Sequence, residues 1–265
     1  QSSMQNKIID IHAHVYPEKI REKAVEAVGD FYEISMQCKG SVQDLLRYKE
    51  AGIHYFVIHS VATAPKQVQH VNDFIYSQMQ EYPELIGFAT LHPEMEGLEE
   101  EVERVIQMGF SGIKLHPDFQ QFDLDAECAQ RLYACVANRL PILLHMGDAQ
   151  KTYSQPKKLA AMAEQFPRQV FIGAHFGGYH AWDEAETYLI GKTNIYIDTS
   201  SSLFMLSPER AVEMIHRHGV EKVLFGTDYP MWDPNEEIAR FMALSLDEKE
   251  RSMILYENAA KLLNL

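Results

Sequence analysis

Seven of the twelve histidines, His12, His14, His59, His92, His116, His145 and His175, fall at or just beyond the end of a short β-rich apolar run. Imidazole is the commonest side-chain metal ligand and the side chain best matched to proton transfer near neutral pH, so their shared placement points to chemistry at one end of a sheet. The first cluster is Ile8-Ile9-Asp10-Ile11-His12-Ala13-His14. Its alternation predicts Asp10, His12 and His14 on one face, because strand side chains have period two. Paired histidines can cap a strand through backbone carbonyls, but two buried rings facing an interior cost desolvation unless they bind something. Metal binding is the stronger reading. His54, His70, His180, His216 and His218 share no such placement, and solvated or locally bonded imidazoles account for them.

Three further positions belong with this cluster. His145 follows Pro141-Ile142-Leu143-Leu144, His175 follows Val170-Phe171-Ile172-Gly173-Ala174, and Asp228 follows Val223-Leu224-Phe225-Gly226-Thr227. Singly, each has an ordinary explanation: a satisfied core histidine, or an aspartate capping the next helix. Jointly, several imidazoles and one carboxylate from different strand ends make a donor set suited to zinc or another divalent first-row ion. Lys114 shares the parity of His116 on its strand, facing the same way. His59 and His92 are pocket-lining candidates, although His92-Pro93 also reads as a turn. Met205, Met231 and Trp232 are candidates for an apolar wall.

The elements that must carry these residues alternate. Strands are predicted at Ile8 to His12, Ile53 to Ile58, Leu85 to Ala89, Gly112 to His116, Pro141 to His145, Val170 to His175, Ile195 to Asp198 and Val223 to Gly226. Between them, amphipathic stretches predict helices at Val42 to Glu50, Val68 to Glu81, Leu98 to Met108, Ala126 to Asn138, Lys157 to Gln165, Pro208 to His218 and Pro234 to Ala243. Gly52, Gly109 and Gly219 stand where a helix end needs positive φ. Repeated βα units in 265 residues, with no linker or composition shift, predict an α/β protein with a single-domain TIM (β/α)8 barrel over residues 4–265, since such a barrel takes about 250 residues. An open doubly wound sheet would carry a Gly-rich loop after its first strand, where this chain has His-Ala-His.

Composition excludes other classes. With 46% hydrophobic residues and a net charge of −14, the chain is globular and repels phosphate backbones and anionic membranes, so neither nucleic acid nor membrane is an expected partner. Cys38, Cys128 and Cys135 form no C-x-x-C pair, which fits a reducing, cytoplasmic setting. No apolar run approaches the roughly 18 residues of a membrane span. Gln1 to Ser3, ahead of Met4, look like an expression remnant.

The motifs Ile9-Asp10-Ile11-His12-Ala13-His14, Gly112-Ile113-Lys114-Leu115-His116-Pro117, Phe225-Gly226-Thr227-Asp228-Tyr229-Pro230 and Glu257-Asn258-Ala259-Ala260, in this order, resemble the amidohydrolase-related metal-dependent barrels. The resemblance is to the branch that includes aminocarboxymuconate-semialdehyde decarboxylase, and it covers nearly the whole chain. It implies that His12, His14 and His145 ligate one divalent metal, zinc by preference. Asp228 would complete the site and handle a proton, with His175 at the metal-bound water, as a direct ligand or behind it. Lys114 and His116 would bind an anionic group of the substrate; in binuclear relatives a carboxylated lysine at this place bridges two metals instead. A nuclease of the related TatD type would bring acidic residues to strand four, where this chain has Lys114 and His116. Three functions follow: a metal-dependent hydrolase of a small, anionic organic substrate, which leads; a non-oxidative decarboxylase of a small unsaturated or aromatic acid; and a metal-bearing barrel that only binds. A homodimer is compatible with all three.

Overall fold

The computed structural model describes residues 7–265; the expected remnant at Gln1 to Ser3 lies outside them. Eight parallel strands form one sheet in sequential order: β1 (Ile8–His14), β2 (Ile53–His59), β3 (Leu85–Thr90), β4 (Gly112–Leu115), β5 (Ile142–Leu144), β6 (Phe171–Gly173), β7 (Ile195–Asp198) and β8 (Val223–Leu224). The sheet closes on itself through the Ala13–Tyr229 bridge, with Ile11 N donating to Phe225 O at 2.9 Å and His14 N to Tyr229 O at 2.7 Å. This is the expected TIM barrel. Strands β4, β5, β6 and β8 stop one or two residues before the predicted ends, so His116, His145, His175 and Asp228 all sit on the turns that leave the barrel.

Two layers of apolar side chains explain the strand patterns. Ile113, Leu115, Ile142, Leu144 and Phe171 face outward and pack under the helices. Ile9, Ile11, Val57, Phe88, Leu143, Ile172 and Leu224 fill the barrel, and the C-terminal helix Asn258–Leu263 plugs its floor with Ala259 and Leu263. The space is tight: a Cβ on Gly112 would meet the Phe88 ring at 2.5 Å.

Strand β1 departs from the expected alternation. Its register against β2 slips between Asp10 and Ala13, three residues opposing the two from Phe56 to Ile58. Such an inserted residue turns one side chain across the pleat. Ile9 and Ile11 therefore point into the barrel and Asp10 does not share the face of His12 and His14. Asp10 instead accepts hydrogen bonds from His12 N at 3.0 Å, Thr227 N at 3.0 Å and Thr227 Oγ1 at 2.6 Å, clasping β1 to the end of β8.

The predicted helices are present, with Val42 to Glu50 resolved into Val42–Leu46 and a 3-10 turn, Arg47–Ala51. Gly52 and Gly109 take left-handed caps at φ 104° and 92°, while Gly219, at φ 108° and ψ 116°, has positive φ outside the left-handed helical well. One twelve-residue helix, Arg21–Tyr32, is not expected from the sequence. It lies in the connection after β1, and only Gly29 of it is buried, so it lacks the apolar stripe that marks the others. None of the three cysteines is disulfide-bonded. No helix among the described residues is long and apolar enough to cross a membrane.

The Asp10 clasp gives a direct expectation. Asp10→Ala strands two buried backbone donors and a hydroxyl, each worth about 1–3 kcal/mol when unsatisfied, so chemical denaturation should show a loss of about 3 kcal/mol or more. A loss under about 1 kcal/mol would mean that the seam is held elsewhere.

Candidate functional site

At the C-terminal end of the barrel, His12 Nε2, His14 Nε2 and Asp228 Oδ1 form a triangle. The two imidazole nitrogens are 3.2 Å apart, and the carboxylate oxygen lies 3.2 Å from His12 and 3.0 Å from His14. The backbone aims each group. Asp228 adopts φ 58° and its N–H donates to His12 O at 2.8 Å, which turns its carboxylate back over the barrel. Its other oxygen accepts from Ser201 Oγ, which in turn accepts from Trp232 Nε1 at 2.8 Å. His175 also takes a left-handed conformation, φ 61°, with its N–H on Asp198 Oδ1 at 3.0 Å. Left-handed non-glycine residues are uncommon and collect where function holds them. Gly226 must be glycine for a reason of closeness, since a Cβ there would lie 2.9 Å from that of His12.

The hydrogen-bond network sets the tautomers. His12 Nδ1 donates to Asp198 Oδ2 at 2.8 Å, leaving Nε2 as the inward atom. Ser200 Oγ gives its proton to Asp198 Oδ1 at 2.6 Å, so His175 Nδ1, 3.0 Å from that hydroxyl and 3.2 Å from Ser200 O, must donate; its Nε2 is a bare acceptor. His145 Nε2 donates to Gly147 O at 2.8 Å, and its bare Nδ1 lies 3.2 Å from His175 Nε2. Gly147, at φ 87°, has backbone atoms of Tyr179 within 2.5 Å of where its Cβ would be. Unprotonated nitrogens and a carboxylate thus converge in a closed space, which is costly unless a cation joins them. Donors about 2.0–2.1 Å from a tetrahedral ion stand roughly 3.3 Å apart, close to the separations of His12, His14 and Asp228. The carboxylate–histidine contact of Asp198 with His12 is the arrangement that orients metal-binding imidazoles.

His59 strengthens this fit. It is fully buried, its ring lies 5.1 Å from His12 and 4.5 Å from His14, and neither of its nitrogens has a hydrogen-bond partner. Among the described residues, three groups bring ligand atoms close enough for an ion: His12, His14 and His59; His12, His175 and Asp228; and His116, Asp118 and His145. His145 therefore joins the first donors through His175 rather than directly.

Lys114 is wholly buried and points its Nζ at His12 Nε2, 3.4 Å away. Burial lowers its pKa to about 8 against the opposing pull of Asp228 and Asp198. Burial lowers His14 and His175 to about 4, so both are neutral at pH 7. Burial and Lys114 also press His12 down, but the Asp228 and Asp198 carboxylates outweigh them and hold it above the usual imidazole value. Burial raises Asp228, yet His12 and His14 beside it keep the carboxyl well below its ordinary range. His116 stacks between Phe119, at 3.7 Å, and His145, at 4.0 Å.

Two further residues, Tyr32 and Asp198, contact these groups without being among the candidates the sequence points to. Tyr32, at the end of the unexpected helix, reaches His116 Nε2 at 2.7 Å and His145 Nδ1 at 3.3 Å, and with Val28 and Met36 it roofs a cavity of only about 20 Å³. Nothing in the sequence marks Tyr32. Asp198 ends β7, and the rule that finds the histidines, a polar residue at a strand's C-terminal end, would find it too. Of the pocket candidates, His92 turns away and accepts from Glu94 N at 3.2 Å, Met205 is exposed, Trp232 supports Ser201, and Met231 lines the cavity.

The family model described as Amidohydrolase matches residues 9–265. No curated protein matches the chain by sequence. Solved structures similar to it include a dihydroxybenzoic acid decarboxylase from Polaromonas with bound manganese and the inhibitor 2-nitroresorcinol, at 19% identity, TM-score 0.74, covering 98% of this chain and 97% of that one. A 2,6-dihydroxybenzoate decarboxylase from Rhizobium is 20% identical at TM-score 0.74, covering 98% and 99%. A probable 2-pyrone-4,6-dicarboxylic acid hydrolase from Acinetobacter baumannii, with citric acid bound, is 19% identical at TM-score 0.71, covering 98% and 100%. At such identity these likenesses establish the fold alone.

The orienting role of Asp198 is open to measurement. Asp198→Ala should weaken divalent-ion affinity by roughly 10–100-fold, the usual cost of losing a carboxylate behind a ligating histidine, read by competition with a chelator. Unchanged affinity would show that His12 does not bind the ion through Nε2.

Proposed function

The chain belongs to the amidohydrolase family, and on that premise we propose that it is a metal-dependent hydrolase acting on an anionic organic substrate. The observation that carries this reading is the convergence of His12 Nε2 and His14 Nε2 on Asp228 Oδ1 within 3.2 Å, in a buried space lined by bare imidazole nitrogens. His12, His14 and Asp228 would hold one divalent ion, zinc by preference for an imidazole-rich set, while His145, the further ligand expected from the sequence, stands behind His175 rather than beside the other three. Such an ion acidifies water from a pKa of 15.7 to about 7 and polarises a carbonyl.

The chain's own groups do the rest. Asp228, ionised at neutral pH, takes the proton of the attacking water as the new C–O bond forms, then returns it to the leaving group as the scissile bond breaks. His175, neutral and with Nε2 bare, accepts a hydrogen bond from that water and orients it. Lys114, largely an ammonium at pH 7, meets the substrate's anionic group together with His116. Tyr32 and Val28 keep bulk water from the cavity. A second reading, decarboxylation of an unsaturated or aromatic acid, is favoured by that same buried lysine: it is the cation a departing carboxylate needs, with Asp228 or His175 taking a proton from water and passing it to the carbon that loses carbon dioxide. Assays of lactones and esters against hydroxybenzoates, read by acid release and by carbon dioxide release, separate the two.

Two variants test the assignments. Asp228→Asn should lower kcat by the 10²- to 10⁴-fold typical of general acid–base groups, with metal content measured on the same sample because Asp228 is also a proposed ligand. If the Asp228→Asn variant keeps both its ion and near-normal turnover, the base role passes to His175. Lys114→Met should raise KM and leave metal content unchanged; a fall from two ions to one would establish a bridging lysine instead.

A further inference from the structure

The space beneath Tyr32 is too small to enclose a whole organic substrate. At about 20 Å³ it accommodates little more than an ion or a water. Directly beside it, behind His14, Tyr16, Val28 and Phe119, which line both, opens a groove of about 920 Å³. That is the size of pockets that enclose whole organic ligands. One wall is the Arg21–Tyr32 helix and the turn before it, presenting Ile20, Ala27 and Phe31; the other is the segment after β2, presenting Val61, Val71 and Phe74. Four charged residues, Glu18, Lys19, Asp118 and Lys151, also line it, and Lys151 Nζ sits 4.0 Å over the Phe31 ring. Phe119 joins the two spaces: one face is stacked on His116 in the site, and Phe31 in the groove meets it edge-on at 4.6 Å.

We propose that this groove binds the apolar body of the enzyme's own substrate, so that the substrate is an amphiphilic acyl compound with a compact polar head at the His12–Asp228 centre and an alkyl or aryl part of several carbons between the two walls. The inference rests on the hydrolase reading for the head group and extends it for the remainder. Continuity fixes the occupant: a molecule whose reacting carbon lies beside His14 has one large apolar space to enter, across Val28 and Phe119. Between these walls the lining is mostly apolar, and no arginine among the lining residues offers a bidentate grip on a second carboxylate. A purely small, doubly charged acid would leave the groove wet and unused.

The test uses n-alkyl hydroxamates from two to ten carbons, whose head chelates divalent ions, titrated calorimetrically into the full chain loaded with zinc and into the same chain stripped by chelator. Each buried methylene contributes roughly a threefold gain, so affinity should climb by at least about 100-fold across the series. The slope is expected in both forms, whereas the zinc-dependent offset common to all members reports the metal reading separately. Ala27→Trp, at an exposed position of the wall that tolerates a larger side chain, and Val71→Trp should each flatten the slope while acetohydroxamate binding to the zinc form persists. A flat series in the parent protein overturns the proposal, as does a slope that both tryptophan variants leave intact. Should Ala27→Trp instead turn a dimer into a monomer by sedimentation, with no chain-length dependence in the parent, the groove belongs to a second copy of the chain and the proposal fails.

Discussion

The closure of β8 onto β1 is the contact on which the site depends. β8 contributes only two residues of regular strand, and the seam is completed beyond it by single hydrogen bonds and by the Asp10 carboxylate holding Thr227 through both backbone and hydroxyl. The next residue is Asp228, whose N–H rests on His12 O. The clasp therefore sets the distance from the carboxylate to both imidazoles, and a slip of one residue at this seam would carry Asp228 to the other side of the sheet. Buried Asp10 is costly, with its pKa raised to about 6 by desolvation against the hydrogen bonds from Thr227 and His12. A barrel whose closing strand is so short has few other means of fixing it.

Electrostatics then accounts for the composition of the centre. His12 stands between two carboxylates, Asp198 on Nδ1 and Asp228 on Nε2, each hydrogen-bonded by serines. Two buried negative charges need compensation, and Lys114 supplies one positive charge, its Nζ 3.4 Å from the His12 Nε2 that faces Asp228. The negative charge that remains favours a cation at the centre, and the imidazoles kept neutral by burial are natural donors to one. The same low-dielectric setting that makes these buried charges costly makes each of them effective on a bound substrate.

The sequence reveals the parts of this arrangement that follow from regular strands. Lys114, His116, His145 and His175 lie on inward parity or on the first turn beyond it, as the alternation of β4, β5 and β6 requires, and eight βα units are enough to imply the barrel. Alternation misplaces Asp10 because a register slip has no signature in one strand's pattern: it is a relation to β2. The Arg21–Tyr32 helix escapes for a different reason. Helices are recognised by the stripe they bury, and this one buries a single residue, Gly29, while its Phe31 and Tyr32 side chains are directed to a groove and a cavity. Residues that serve ligands rather than the core leave no periodic trace.

That same sparseness bears on access. The roof over the centre is made by Val28, Tyr32 and Met36, so a group larger than a water enters beneath it only if these side chains yield. The barrel strands are packed on both faces and cannot. The helix is anchored at Gly29, where a Cβ would meet Ile34 O at 2.7 Å, and by Arg21 on Lys39 O at 3.0 Å, with few buried apolar contacts to lose on moving. Segments with so little burial lie at the low end of a protein's local stability scale. The Tyr32 hydroxyl, bonded to His116 and His145, ties the cover to the site, so a ligand that reaches those two imidazoles competes with the contact that holds the cover. Rigidity in the sheet and looseness in the cover thus have one origin, the difference between side chains committed to the core and side chains committed to the site.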